Sequence, residues 1–326
     1  MVTAAGLINL SYSKTQKQKI ARDIKPITRS KMSADFQKLQ QLFKQDDCAI
    51  DNISYGIRYG NNTVDYYTFA ERLETRGKYN ANYYDFLSNI DEFKKKKFIQ
   101  NMIYYYDTVK NKTRTKNNYV VLKEVYNICI SAINIFRPIV AADIYRQYKP
   151  TSVLDFTCGW GGRLIGACAV NVPRYTGIDI NTQLRGAYQK MIKDIIENND
   201  ISTTTVPQVF LEDALEFDYS TLKYDLVLTS PPYYSIERYP ENQTYTSHKD
   251  MNERFYKPLF SKTFYHLQLG GHYCLNVNAE IYTSVCVQLF GEAQRRVPLK
   301  KSARQTANNN YKEFIYIWEK TEDVSV

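Results

Sequence analysis

The chain is poor in the residues that metal and redox chemistry need. Its three histidines, His248, His266 and His272, fit no metal-ligand spacing, so no metal site is expected. The six cysteines, Cys48, Cys129, Cys158, Cys168, Cys274 and Cys286, are scattered and include no C-x-x-C pair, which suggests neither a disulfide framework nor a zinc site. No apolar run approaches the roughly 18 to 20 residues that a spanning helix needs, and the N-terminus lacks the apolar core of a signal peptide. These absences lead to the expectation of an intracellular, cytoplasmic protein without a membrane partner. No internal repeat is visible.

What is present is a real core and a positive surplus. The 326 residues, 44% of them hydrophobic, suffice for one large domain or for a catalytic domain with a smaller companion. Lys and Arg number 43 against 34 Asp and Glu, a formal charge of +9, which favours a polyanionic partner. The 29 tyrosines, with abundant Lys, Asn and Ile, are as consistent with an A+T-rich genome as with selection, and carry little weight.

Three stretches differ in texture. Residues 1–33 are basic, with Lys14, Lys17, Lys19, Arg22, Lys25, Arg29 and Lys31 against Asp23, and without a sustained apolar period they read as a flexible arm. Residues 34–145 read as mainly helical: Phe36, Leu39, Leu42 and Phe43 share a helical face, and Tyr119 to Tyr148 is amphipathic with few breakers. The segment Tyr55 to Asn62 between them is turn-rich. Residues 146–326 alternate short strands with helices, the pattern of an α/β domain with a largely parallel sheet. Strands are expected near 152–156, 174–179, 206–210, 224–229, 271–277 and 312–319, and helices near 161–170, 181–198 and 251–268.

The first of these strands, Ser152 to Asp155, runs into Phe156-Thr157-Cys158-Gly159-Trp160-Gly161-Gly162 and then a helix. Glycines in a strand-to-helix turn allow positive φ and close approach of a ligand to the backbone. A dinucleotide fingerprint would need a small residue at Leu164, and no Lys-Ser/Thr pair follows to make a P-loop. The second strand ends in Asp179, placed to grip ribose hydroxyls, and the third is followed by Glu212 and Asp213, where an acid can reach an adenine amine. Each acid alone could be a helix cap or a solvated loop end; their recurrence after three successive strands favours a ligand edge. The fourth strand, Tyr224 to Leu228, leads into Thr229-Ser230-Pro231-Pro232-Tyr233-Tyr234. The prolines fix their own φ and remove backbone donors, leaving the carbonyls of Ser230 and Pro231 to accept hydrogen bonds from an amino group. Tyr233 offers a stacking face, a contact worth about 1 to 3 kcal/mol in nucleic-acid binders. The plain alternative is a strand-ending turn with a core tyrosine.

Together these two motifs resemble the S-adenosylmethionine-dependent DNA amino-methyltransferases that make N6-methyladenine or N4-methylcytosine. Asp155-Phe156-Thr157-Cys158-Gly159-Trp160-Gly161 resembles the family's D-x-F-C-G-x-G-like first motif, and Ser230-Pro231-Pro232-Tyr233 its (D/N/S)-P-P-(Y/F/W) catalytic motif. The resemblance covers roughly residues 135–320. It implies a Rossmann-like methyltransferase fold with a largely parallel seven-stranded sheet, S-adenosylmethionine as cofactor and DNA as partner, in a restriction-modification or phage context. It further implies that Asp155, Gly159 and Gly161 surround the methionine part of the cofactor, Asp179 binds the ribose and Asp213 faces the adenine. Thr157 stands where many members have an aromatic that packs on the cofactor, and Phe156 or Trp160 are the substitutes. Phe136-Arg137-Pro138 resembles the family's additional cofactor-binding segment. Ser230 and the Pro231 carbonyl would accept from the target amine, and serine at the first position resembles the N4-cytosine branch more than the adenine one.

A duplex buries that amine, so the base must be flipped and caught, by Tyr233 or else Tyr234. Residues 235–250 read as a loop closing over it or as a plain surface loop. The helical region is a candidate for DNA recognition. Of the basic clusters at Lys94–Lys97, Lys110–Lys116 and Arg295–Arg304, the last is the best candidate for phosphate contact, through Arg295, Arg296, Lys300, Lys301 and Arg304. Two further readings stay open: methylation of RNA or of a protein glutamine, which Ser230 argues against in the glutamine case, and a catalytically silent nucleic-acid-binding subunit.

Overall fold

In the computed structural model, residues 12–44, 57–131, 133–197, 201–234, 244–299 and 313–322 are described. Among the described residues, eight α-helices precede the first strand: α1 (Lys14–Ile24), α2 (Arg29–Lys44), α3 (Asn61–Arg72), α4 (Tyr83–Ser88), α5 (Ile90–Lys94), α6 (Lys97–Tyr104), α7 (Asn118–Cys129) and α8 (Pro138–Tyr148). Then come β1 (Ser152–Asp155), α9 (Gly162–Ala169), β2 (Arg174–Ile178), α10 (Arg185–Glu197), β3 (Val206–Phe210) and β4 (Tyr224–Thr229). The chain closes with α11 (His248–Met251), α12 (Lys257–Tyr265), β5 (Leu267–Val277), α13 (Ala279–Ile281), α14 (Val287–Phe290), β6 (Arg295–Pro298) and β7 (Phe314–Glu319). A π-turn, Asn252–Tyr256, joins α11 to α12.

The strands form one seven-stranded sheet in the order β3-β2-β1-β4-β5-β7-β6. Strands β1 to β5 pair in parallel, and β7 runs antiparallel to both β5 and β6. This is the Rossmann-like α/β architecture, with a largely parallel seven-stranded sheet, expected from the sequence. The central strands are apolar in their middles, as suits a parallel sheet covered on both faces: Val153 and Leu154 of β1 and Leu226, Val227 and Leu228 of β4 are fully buried, while Ser152 and Asp155 at the ends of β1 and Thr229 at the end of β4 are buried polar residues. No helix among the described residues is long and apolar enough to cross a membrane.

The chain divides into two compact units. Of the described residues, one unit holds those up to Thr28 together with those of Thr68–Asn134; the other holds those of Arg29–Tyr67, those of Ile135–Tyr234 and those that follow. This differs from the expected boundary near 145 in both directions. The expected arm contains α1, with a Ser13–Gln16 capping box and buried Ile20 and Ala21, which belong to the core of the first unit beside Tyr83, Phe86 and Tyr126. Its short apolar face is diluted by lysines, which is why no period shows in the sequence. Helix α2 belongs to the sheet unit through Met32, Phe36 and Leu39, all fully buried. The amphipathic stretch expected to run from Tyr119 to Tyr148 is broken between α7 and α8. Pro138 opens α8, and Arg137 before it is extended (ψ 126°), as a residue preceding proline prefers.

Candidate active site

Because β1 to β5 are parallel, their carboxyl ends share one edge, and the strand order reverses between β1 and β4. Ligands of open α/β sheets bind outside such a switch point. On the β1 side stands the turn from Phe156 to Gly161, and on the β4 side Thr229 to Tyr234.

The glycine turn needs its glycines for different reasons. Gly159 and Gly161 hold φ of +55° and +83°, which side chains adopt only with strain. A Cβ on Gly162 would lie 2.0 Å from the Phe136 carbonyl oxygen, so this glycine lets the 136–138 segment lie against the start of α9. Around Gly159, by contrast, a Cβ would meet only the Thr157 carbonyl, at 3.8 Å, leaving room for a ligand against the backbone.

Asp155 is fully buried and already engaged. Its Oδ2 accepts from Arg163 Nε at 2.7 Å and from the Tyr175 hydroxyl at 2.6 Å, and its Oδ1 accepts from Thr229 Oγ1 at 2.9 Å. Burial alone would lower the pKa of Arg163, but the charge and hydrogen bond of Asp155 reverse this and hold the guanidinium above its ordinary value. The expected contact of Asp155 with a ligand is therefore replaced by an internal one: this acid supports the turn from beneath.

Phe156 also departs from expectation. It is fully buried against Phe260 and Tyr273 in the apolar core, because its side chain points away from the edge. Trp160 is buried as well. Cys158 is buried, donates its N–H to the Ile178 carbonyl at 2.9 Å and receives the Tyr188 hydroxyl on Sγ at 3.2 Å; burial, then Asp179 and Asp155, push its thiol well above the usual range. Thr157 and Gly159 are the partly exposed members of the turn.

Asp179, at the tip of β2, clasps that turn. One carboxylate oxygen accepts from the Gly159 N–H at 2.7 Å and the other from the Asn181 N–H at 2.9 Å. Burial pushes its pKa up from the carboxylate range, and the two N–H donors oppose the shift. Asp213, half-buried beyond β3, accepts from the Leu215 N–H at 2.9 Å. Thus Asp179 and the glycine turn are drawn into one cluster, and Asp213 stands on the same sheet edge.

On the facing side, Thr157 Oγ1 lies 2.6 Å from Thr229 Oγ1, which joins the two motifs across the switch point. Ser230 donates its hydroxyl to Asn276 Oδ1 at 3.1 Å. Pro231 is buried, and the Pro232 carbonyl accepts from the Tyr256 hydroxyl at 2.5 Å. Tyr233 is half-buried, its hydroxyl anchored on Glu313 Oε1 at 2.9 Å and on the Asn276 carbonyl at 3.2 Å, which fixes the direction of its ring.

Tyr234, the second expected stacking surface, is buried instead. Its φ of +51° turns the side chain inward, where the ring stacks on His248 with centroids 3.7 Å apart and the hydroxyl meets Asn252. Arg295 and Arg296, expected in a basic cluster ahead of the terminal strand, lie on β6, a strand missing from the sequence reading. Arg296 pairs with Glu292 at 2.5 Å and lies over the Tyr282 ring, whereas Arg295 is exposed and reaches the Tyr148 hydroxyl at 3.4 Å. Lys300, Lys301, Arg304 and residues 235–243 of the expected closing loop lie outside the described residues.

Sequence reading also missed Asn276, Tyr256 and Glu313. Asn276 alone left a signal, as a polar residue inside the apolar strand Tyr273–Val277.

No protein-family model and no curated protein matches this chain. Solved structures similar to it include TrmN from Thermus thermophilus (13% identity, TM-score 0.41, covering 57% of this chain), of whose length the match spans about half, 49%. An rRNA methylase from Streptococcus thermophilus is 16% identical with a TM-score of 0.38, over 58% of this chain and 100% of its own. An S-adenosylmethionine-dependent methyltransferase from Clostridium acetobutylicum is 15% identical with a TM-score of 0.32, over 56% and 65%. Likeness at this level carries no weight for substrate or cofactor.

Proposed function

We propose that this chain is an S-adenosylmethionine-dependent methyltransferase acting on the exocyclic amine of a base in DNA, with cytosine N4 favoured over adenine N6. The observation that carries the reading is the meeting of the glycine turn and the Ser-Pro-Pro-Tyr turn across the switch point, joined through Thr157 and Thr229. One turn suits a cofactor and the other an amine.

The residues present fit the cofactor. Open space over Gly159 admits it against the backbone, Asp179 offers acceptors for ribose hydroxyls, and Asp213 lies farther along the same edge for the adenine amine. Bound there, the cofactor supplies an electrophilic methyl group on a sulfonium. The chain's own part is to prepare the nucleophile. An aryl amine delocalises its lone pair into the ring, and acceptors at Ser230 and the Pro231 carbonyl draw its protons aside so that the pair localises on nitrogen. With the cofactor held at Gly159, Asp179 and Asp213, Ser230 and the Pro231 carbonyl would keep the amine nitrogen turned toward the methyl group while it is transferred, and the amine proton released would pass to water. No covalent enzyme intermediate is needed.

Tyr233, held by its hydroxyl, is the proposed stacking partner of a flipped base, offsetting an unstacking cost of a few kcal/mol. The helical unit, with Lys94–Lys97 and Lys110–Lys116, and Arg295 on β6 are proposed to meet DNA. Several of those lysines are balanced locally, as Lys94 and Lys95 are by Asp91 and Glu92, so phosphate contact falls mainly to the others.

The test is incubation with labelled cofactor and varied DNA, then digestion to nucleosides. Label in N4-methylcytosine or N6-methyladenine is expected. Label confined to RNA overturns the DNA assignment, and absence of transfer to any nucleic acid overturns the enzyme reading.

A further inference from the structure

Ser230 is a hydroxyl, able to donate or to accept, and Asn276 decides which. The Asn276 amide nitrogen, Nδ2, lies 3.1 Å from the Phe314 carbonyl oxygen, which can only accept. The amide oxygen therefore faces Ser230, 3.1 Å from Oγ, and an amide oxygen can only accept as well. The single Ser230 proton is committed to Asn276, and the lone pairs are what remains for anything else that approaches. Asn276 is 3% exposed and sits on β5 opposite Ile315 of β7, so the amide is held by the sheet itself.

We propose that Asn276 is a positioning residue that makes Ser230 an obligate acceptor, so that the site admits a group bearing N–H and rejects a carbonyl oxygen or a bare ring nitrogen. The role rests on the reading above, in which Ser230 faces the target amine. In this arrangement a serine does through its neighbour what a carboxylate or carboxamide oxygen at the same position does by itself. A second acceptor, the Pro231 carbonyl, completes a pair suited to the two protons of a primary amine.

The test is a double-mutant cycle on methyl transfer, run on whichever nucleic acid the wild type labels. Asn276→Ala is expected to lower kcat about 10- to 100-fold, the scale of lost orientation at a reacting group, with cofactor affinity by calorimetry changed less than about threefold. Ser230→Ala combined with Asn276→Ala should be no slower than Ser230→Ala alone. In a Ser230→Asn background, where the side chain carries its own acceptor oxygen, Asn276→Ala should cost less than about threefold. A wild-type kcat in Asn276→Ala, or effects that multiply, overturns the role.

A second measurement needs only the wild type and stands even where Asn276→Ala does not fold. Single-stranded oligonucleotides in which the target amine is replaced by hydrogen or by a carbonyl oxygen are compared for binding with cofactor present. The carbonyl base is expected to bind at least about tenfold more weakly than the amine-free base; equal or tighter binding overturns the role. Wild-type protein that labels no base amine overturns the function proposed above and the role with it. Labelling by the wild type, together with an insensitive Asn276→Ala, overturns the role alone.

Discussion

Thr157 and Thr229 share one hydrogen bond, 2.6 Å between hydroxyl oxygens, and Thr229 passes its own proton on to Asp155 Oδ1 at 2.9 Å. Since Asp155 can only accept there, the direction of the relay is fixed: Thr157 donates to Thr229, which donates to Asp155. Thr229→Val keeps the shape and removes both bonds, in a fully buried place. The expected loss is about 1 to 3 kcal/mol of stability, with weaker cofactor binding as the two turns lose their tie. Urea denaturation and calorimetry on the same variant measure both.

Asp155→Ala has a different outcome from the one its place in the motif suggests. It strands the Arg163 guanidinium, 4% exposed, without its carboxylate. Breaking a buried pair by removing one partner costs about 3 to 5 kcal/mol. The melting temperature should fall sharply, and any loss of cofactor binding should follow the loss of fold. A variant that melts like the wild type yet binds no cofactor would restore Asp155 to a ligand-facing role.

Asp179 separates the pH dependence of binding from that of stability. Its pKa in the folded chain is raised by burial, so the folded state holds its proton more tightly than the unfolded state does. Its contribution to stability is therefore fully present below the ordinary carboxylate range and declines as pH rises through the raised value. In the function proposed above, where Asp179 accepts from ribose hydroxyls, binding needs the charged acceptor, so cofactor affinity should fall as pH drops through that same value. Isothermal titration at stepped pH should show this loss in the wild type and a flat profile in Asp179→Asn.

Gly159 and Gly162 should respond oppositely to alanine. Gly159→Ala meets open space, so the cost is that of a positive φ, about 1 to 2 kcal/mol, and the protein folds but binds cofactor poorly because the methyl group occupies the ligand's approach. Gly162→Ala drives its Cβ into the backbone of Phe136 and is expected to prevent soluble expression. Expression yield and cofactor titration distinguish the pair.

Tyr256→Phe should loosen the turn after the prolines. One hydroxyl there donates to the Pro232 carbonyl and accepts the Tyr234 N–H, at 2.5 and 3.1 Å. Its loss is expected to lower kcat about tenfold while cofactor affinity holds, as single-turnover and binding measurements can establish.

Much of the sheet was legible because its signals are local. Strands buried on both faces read as apolar runs, and glycines and a proline pair mark the turns that follow β1 and β4. What the sequence hid depends on pairing at a distance. Asp155 reads as a ligand acid until Arg163, Tyr175 and Thr229 are seen around it. Tyr234 and Tyr233 are adjacent in the chain and alike in chemistry, and only the positive φ of Tyr234 sends one into the core. β6 carries Arg295 and Arg296 and buries Val297 alone, so its composition reads as a charged loop. Asn276 shows only as an oddity in its strand until Ser230 is brought to it.

The placement of α2 has a consequence for the order of events on the ribosome. Its apolar face is covered by parts of the chain made much later: Leu39 and Pro138 enclose Gly60, the Arg146 guanidinium covers Phe43, and Gln40 reaches the Ser202 carbonyl. The whole of Thr68–Asn134 emerges in between. Synthesis at about 5 to 20 residues per second leaves Met32, Phe36 and Leu39 uncovered for seconds, while the later helical block has its own core to close around. Truncation or stalling before α8 is therefore expected to leave part of the apolar face of α2 uncovered and the nascent chain dependent on chaperones.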